Sequence, residues 1–187
     1  MPRKYDLGRR ADAKAVTRRR ITAAAVDLHA TVGPARTTIS AIAERAGVQR
    51  LTVYRHFPDE ADLLAACGAH WIGENPPPDP TPWREIGDPR ERLLTALTAI
   101  YRWYRANEVM IGNTERDAPA LRALAAVADP AAYLDPVRDL LGPPEARAAL
   151  GHALAFSTWR SLARDQGLSD RAAAALIARI VEEPTPM

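Results

Sequence analysis

The chain reads as an all-α protein in two parts, a small N-terminal three-helix domain and a larger helical body. Three observations carry that reading. Apolar residues recur at three- and four-residue steps, as in Ile21, Ala24, Ala25 and Leu28, or Leu93, Leu97, Ile100 and Tyr104. No alternating pattern of useful strand length occurs, and no internal repeat. Glycines and prolines punctuate the chain at helix-length intervals. They are densest at Asn75-Pro-Pro-Pro-Asp-Pro-Thr-Pro82, a run that ends any helix and forms a stiff connector.

Each element follows in order. Residues 1–16 read as a flexible basic arm, with Arg3, Lys4, Arg9, Arg10 and Lys14 among residues that show no apolar period. A first helix runs from about Thr17 to Val32 and stops at Gly33-Pro34. Thr38 caps a second, with Ile39, Ile42 and Ala43 facing inward. Ala46-Gly47-Val48 makes a turn, and Gly47 suits a positive φ there. A third helix, about Gln49 to His56, buries Val53 and shows Gln49, Arg50, Thr52, Tyr54 and Arg55 outward. Asp59 caps a fourth helix, with Ala61, Leu64, Ala65 and Gly68 on its inner stripe. Beyond the prolines come a helix around Leu93–Tyr104 and shorter segments near 117–128 and 131–141. Two long helices close the chain, about 144–166 and 169–183, with Gly167 ending the first and Ser169 capping the second. The expected domains are therefore 1–16, 17–64 and 65–187.

Composition narrows the function classes. With 187 residues and 47% apolar content, a packed core is within reach. No apolar run approaches the ~20 residues of a membrane span, and no signal-peptide core is visible, so a cytoplasmic protein without membrane partners is expected. Cys67 is the only cysteine, which excludes an intrachain disulfide. The net charge of +2 conceals a split. Residues 1–57 hold twelve Lys and Arg against four Asp and Glu, a net of +8, and the remainder holds thirteen against nineteen, a net of −6. A basic end on an acidic body suits a polyanionic partner.

The segment Thr38–Phe57 has the form of a helix-turn-helix, a device that puts its second helix into the major groove of DNA. Its surroundings go further. Ile21-Thr-Ala-Ala-Ala25, Leu28, Gly33, Thr37-Thr38-Ile39, Ile42-Ala43, Ala46-Gly47-Val48, Thr52-Val53-Tyr54, His56-Phe57 and Leu63-Leu64 stand at fixed spacings. In these the chain resembles the TetR family of bacterial transcriptional regulators, over about residues 17–66. The resemblance implies a helix-turn-helix DNA-binding domain followed by a helical ligand-binding and dimerisation domain. It also implies a repressor that acts as a homodimer on a palindromic double-stranded operator and answers to a small-molecule effector.

Physical chemistry supports the carried-over roles. Thr38, at a helix N-terminus, can offer its hydroxyl and free N–H groups to a phosphate, or serve as a cap alone. Gln49, Arg50 and Leu51 open the helix that meets base edges; Arg50 suits guanine and Gln49 adenine. Thr52, Tyr54 and His56 resemble the family's phosphate contacts, and Arg55 can reach base or backbone. Departures from the usual pattern are His29 for Phe, Pro34 after the glycine, Gln49 for Ser, Leu51 for Gly, and Asp59-Glu60 without the frequent Lys.

In the body, His152, Phe156, Trp159 and Ala163 form one stripe, and Ala173, Leu176, Ile177, Ile180 and Val181 another. The resemblance implies that such helices pair into a four-helix bundle between subunits, with His152, Phe156, Trp159, Ala163, Ala173, Leu176, Ile177 and Ile180 at the interface; a monomeric core is the alternative. Tyr101, Trp103, Tyr104, Met110, Asn113, Tyr133, Phe156 and Trp159 are candidate walls of an effector pocket, or plain core. Rival readings are an activator or ligand-blind regulator of the same fold, a helical enzyme, or an interaction module. No catalytic triad, phosphate loop or cofactor fingerprint is present, so neither enzyme nor cofactor is expected. Cys67, His70 and Glu74 share one helical face and could hold a metal, though a buried cysteine is the simpler account, and no metal is expected.

Overall fold

The computed structural model describes residues 4–122 and 131–182, and every regular element among them is helical. Arg3 of the expected arm, the close of the 117–128 segment and the last helix's end at 183 lie outside the described residues. The order is α1 (Lys4–Thr31), α2 (Ile39–Ala46), α3 (Arg50–His56), α4 (Glu60–Glu74), α5 (Pro89–Ala106), α6 (Glu108–Arg122), α7 (Ala131–Leu141), α8 (Arg147–Ala153), α9 (Phe156–Arg160) and α10 (Asp170–Glu182). Short 3-10 turns stand at Pro34–Arg36, Thr81–Glu85 and Pro144–Ala146, and a π-turn at Ser161–Asp165.

Two compact units emerge, Met1–Asn75 with Val109–Ala128, and Pro76–Glu108 with Asp129–Met187. This differs from the expected break after residue 64. α4 runs unbroken across that position, because Asp59 caps it (Ala61 N–H to Oδ1, 2.9 Å) and nothing before Asn75 stops it. The arm expected over residues 1–16 is, from Lys4 onward, the first half of a 28-residue α1. Alanines at 11, 13 and 15 favour helix, and only Gly8 opposes it.

In the first unit, Ile21, Ala24 and Ala25 of α1 share one core with Ile42, Ala43 and Ala46 of α2, Val53 of α3, Phe57, and Leu63 and Cys67 of α4. The inner face of α4 is thus centred on Leu63 and Cys67. Of the expected stripe, Ala65 is exposed and Ala61, Leu64 and Gly68 are half-buried. Leu63 and Cys67, one turn apart, are the two α4 side chains that enter this core.

The carbonyls at the end of α1 are satisfied from α6. Asn113 Nδ2 donates to the carbonyls of His29 (3.0 Å) and Ala30 (2.9 Å), and Arg116 Nη2 to that of Val32 (3.1 Å). Beside them the buried Asp117 accepts from Arg116 (2.8 Å) and from Ala35 N–H (3.0 Å). The Arg116 bonds hold its carboxyl below the usual range. Gly33 (φ +95°) lies beneath this clamp, where a Cβ would stand 2.0 Å from Arg116 Nη2. That position accepts only glycine.

In the second unit, Leu93, Ala96, Leu97, Ile100, Tyr101 and Tyr104 of α5 are buried, as the periodicity expects. The helix expected over about 144–166 is instead broken between α8 and α9. The break leaves carbonyls that hydroxyls claim, one local and two from α5: Thr158 Oγ1 donates to His152 O (2.6 Å), Tyr101 Oη to Ala153 O (2.8 Å) and Tyr104 Oη to Leu154 O (2.6 Å). Asp170, near the start of α10, accepts from Trp159 Nε1 (2.9 Å) and Arg105 Nε (2.8 Å). Ser169 caps that helix through Ala172 N–H (3.2 Å).

His29 gives the fold a pH dependence. Burial holds its imidazole at about 4, with Asp117 partly opposing. In the unfolded chain it returns to about 6.5. Between those values the unfolded state binds more protons, so this stability is complete above 6.5 and lost as pH falls to 4. In urea melts at pH 7.5, 5.5 and 4.5, His29→Phe is expected to lose up to about 3 kcal/mol less than the parent across that window. Equal acid slopes for the two proteins would refute this.

Candidate nucleic-acid interface

Local chemistry builds the helix-turn-helix in steps. Thr38 caps α2 by accepting from Ala41 N–H (3.1 Å), leaving its hydroxyl proton free to donate. α2 ends at Gly47, which takes φ +63°. Val48 N–H reaches Ala43 O (2.9 Å) and Gly47 N–H reaches Glu44 O (3.0 Å), the paired bonds of a Schellman ending. Gln49 stands at the N-cap of α3 without a side-chain bond to its backbone. Val53, with no exposed surface, and Phe57 fix the helix on the core.

The other face of α3 is open. Gln49, Arg50 and Arg55 are exposed, Leu51 is 65% exposed and Tyr54 44%; Thr52 and His56 are half-buried. Arg50 and Arg55 make no hydrogen bond or ion pair with the described residues. An exposed leucine between two unpaired guanidiniums is costly in water and suits a surface that meets base edges and thymine methyls. The structure thus brings Gln49, Arg50, Leu51, Thr52, Tyr54, Arg55 and His56 onto one short helix, and puts Thr38 at the start of the helix packed against it.

Two further residues, which periodicity does not single out, hold this face in place. Arg18 Nη1 donates to His56 O (2.5 Å), and its guanidinium lies 3.9 Å from the Phe57 ring centre. Arg20 Nη2 donates to Ala46 O (2.6 Å). Each satisfies the end of a helix 26 or 38 residues away. Their only trace in the sequence is the Arg18-Arg19-Arg20 run. Burial first, then Lys14, Arg18 and Arg55, lower the pKa of His56.

The other expected sites fare differently. Tyr104, Phe156 and Trp159 pack ring on ring at 5.2–6.1 Å, with Tyr101 and Trp103 beside Tyr104. With the Tyr101 and Tyr104 hydroxyls bonded to backbone, this cluster is core that fills its own space. Tyr133 bonds Pro78 O (2.8 Å), and Asn113 belongs to the clamp on α1. Met110 is half-buried on α6, in the first unit with Asn113. Of the expected interface, Phe156, Trp159, Ala163, Ala173 and Ile177 are buried within the chain itself. His152 and Ile180 remain exposed and Leu176 half-exposed. The most apolar stripes of these helices are spent on the chain's own core. Burial pushes the Cys67 thiol up to about 12, and its Sγ faces Thr22 O (3.9 Å).

Residues 21–67 match the model of the bacterial regulatory proteins of the tetR family. An uncharacterized HTH-type transcriptional regulator of Mycobacterium tuberculosis is 33% identical over 101 residues, covering 52% of this chain and 50% of that protein. One of Mycobacterium bovis matches to the same extent. The chain spans about half the length of the curated relatives it matches. Among solved structures, a TetR-like regulator from Rhodococcus sp. RHA1 has a TM-score of 0.60 at 21% identity, covering 89% of this chain and 94% of its own. The fatty acid degradation regulator FadR from Bacillus halodurans has 0.59 at 18%, covering 88% and 93%. These share the fold of the whole chain, beyond the TetR segment.

The TetR-type cap is testable without DNA. Thr38→Ala is expected to cost about 1 kcal/mol in urea unfolding, while Thr38→Ser keeps most of that stability. Equal losses in the two variants would show that the hydroxyl bond to Ala41 carries none of it.

Proposed function

We propose that the chain is a sequence-specific DNA-binding transcriptional regulator, acting as a homodimer on a palindromic operator and most simply as a ligand-responsive repressor. One observation carries the reading: α3 is anchored through Val53 while Arg50, Leu51, Tyr54 and Arg55 are unspent on the chain itself. Arg50 takes the base-reading role and Arg55 a base or phosphate. Thr38, Thr52, Tyr54 and His56 take phosphates. The helical N-terminal half of α1, carrying Arg9 and Lys14, adds sequence-blind attraction to the DNA backbone. The work is binding, with no catalytic step and no cofactor, in the cytoplasm.

A single seven-residue helix covers too few bases for useful specificity, which is the argument for two copies spaced by about 34–36 Å or a multiple. The outward face of the last helices, His152, Leu176 and Ile180, is the proposed contact. The effector is proposed to bind the second unit and shift α4 and α6, lowering operator affinity. By reciprocity, operator DNA then weakens effector binding by the same factor.

Two measurements test this. On oligonucleotides selected from a random pool by the full chain, Arg50→Ala should lose about 1–3 kcal/mol of binding and relax preference at one base pair per half-site. A uniform loss across all sequences would reassign Arg50 to the backbone. Light scattering at micromolar concentration should give a dimer, with Ile180→Glu shifting it toward monomer. A monomer with full DNA affinity would overturn the dimer.

A further inference from the structure

The first unit contains a cavity of about 310 Å³ that belongs to none of the roles above. The pocket is half open and its lining is mixed: Ile39 and Ile42 of α2, Leu63 and Leu64 of α4 and Leu121 of α6 give apolar wall, and polar groups, His29, Thr37 and Glu60 among the lining residues, give about as much surface. Ile42, Leu63 and Leu121 are each under 5% exposed. The space is about twice the ~150 Å³ that holds a benzene-sized guest in an engineered core. It lies at the low end of the range for small-molecule pockets.

One polar group in it is unspent. His29 lines the cavity and is 6% exposed, yet its ring makes no hydrogen bond with a described residue. Its nitrogens are not among the fully sealed unpaired atoms of the described residues, so they open onto the cavity. A buried polar group left unpaired costs about 1–3 kcal/mol, which a suitable guest removes. The imidazole is neutral at pH 7 and can donate or accept.

The charges around the cavity define the guest further. Glu60, exposed at the rim, is a carboxylate. Asp117, packed behind the turn at Ala35, is another, already bonded by Arg116 and Ala35 N–H. No Lys or Arg lines the cavity; Arg36, on the turn between Ala35 and Thr37, and Arg116 both act on Asp117 and offset its charge, which leaves Glu60 as the charged lining group. Anions are therefore repelled. Thr37 donates its hydroxyl proton to Gly33 O (2.8 Å), so towards a guest it can only accept.

We propose that this pocket is a binding site for a neutral, amphipathic molecule of one or two rings carrying a hydroxyl or N–H group, which His29 engages. The site lies inside the DNA-binding unit, apart from the effector site proposed for the second unit, and its existence does not depend on the DNA reading. Its occupant touches Ile39 and Ile42, and so bears directly on the helix that supports α3.

The test uses the full chain, 2-naphthol as probe and its anionic counterpart naphthalene-2-carboxylate. Calorimetry should give saturable binding of 2-naphthol with a Kd of about tens to hundreds of micromolar. The carboxylate should bind at least about tenfold more weakly, the effect of about 1.4 kcal/mol of repulsion. NMR shift changes should centre on Thr37, Ile39, Leu63 and the His29 ring. His29→Phe, which fills the same shape without the hydrogen bond, should weaken 2-naphthol about five- to tenfold. Ala120→Trp, at an exposed rim position that leaves the core untouched, should abolish binding. No binding up to saturation, equal affinity for the carboxylate, shift changes confined to residues 76–108 and 131–182, or indifference to both substitutions would each overturn the proposal. Should His29→Phe fail to fold, Ala120→Trp and the shift map decide.

Discussion

A helix ends with four carbonyls that lack partners within it, and this chain answers that constraint with side chains from far away in sequence. Arg18 and Arg20 close the ends of α3 and α2. Asn113 and Arg116 close the end of α1. Tyr101 and Tyr104, with the local Thr158, take the carbonyls set free at the break between α8 and α9. Most helices here are short, and a seven-residue helix cannot hold itself together in water. The long-range caps supply the ends, while Val53, Ile42, Leu63 and their neighbours supply the burial. Without the caps the helices would keep their apolar stripes but lose the angles between them.

The same constraint explains what was legible in the sequence. Thr38, Gly47, Asp59, Gly167 and Ser169 act within a few residues of their own position, so local rules place them where the structure has them. The stripe of α5 is equally local. The break at Leu154 is not, because no proline or glycine marks it; it exists because tyrosines some fifty residues earlier accept the cost of the freed carbonyls. The continuation of α1 to Lys4 escaped for the opposite reason. Charged residues without an apolar period look like an arm, yet they are good helix formers and extend a helix that nothing stops.

For the candidate interface, legibility followed solvent exposure. Residues that face outward on α3 do so because their neighbour Val53 is pinned, and a period of 3.6 reveals both at once. Sequence alone assigned too much to the aromatic residues of the body. Tyr101, Tyr104, Phe156 and Trp159 have the composition of a ligand wall, but their hydroxyls and ring faces are taken up by the chain. The unspent group proved to be His29, where the family pattern has an aromatic hydrocarbon. A single substituted nitrogen ring changed a filler into a potential recognition element.

The open face of α3 has one more consequence. Arg50, Leu51 and Arg55 are exposed and make no hydrogen bond or ion pair with the described residues, so replacing any of them leaves the helix ends unchanged, and Tyr54 beside them buries only part of its ring. The residues that would choose a DNA sequence are thereby uncoupled from those that make the protein fold. Such a surface can drift to a new target one amino acid at a time, with no loss of stability along the way to be repaired elsewhere.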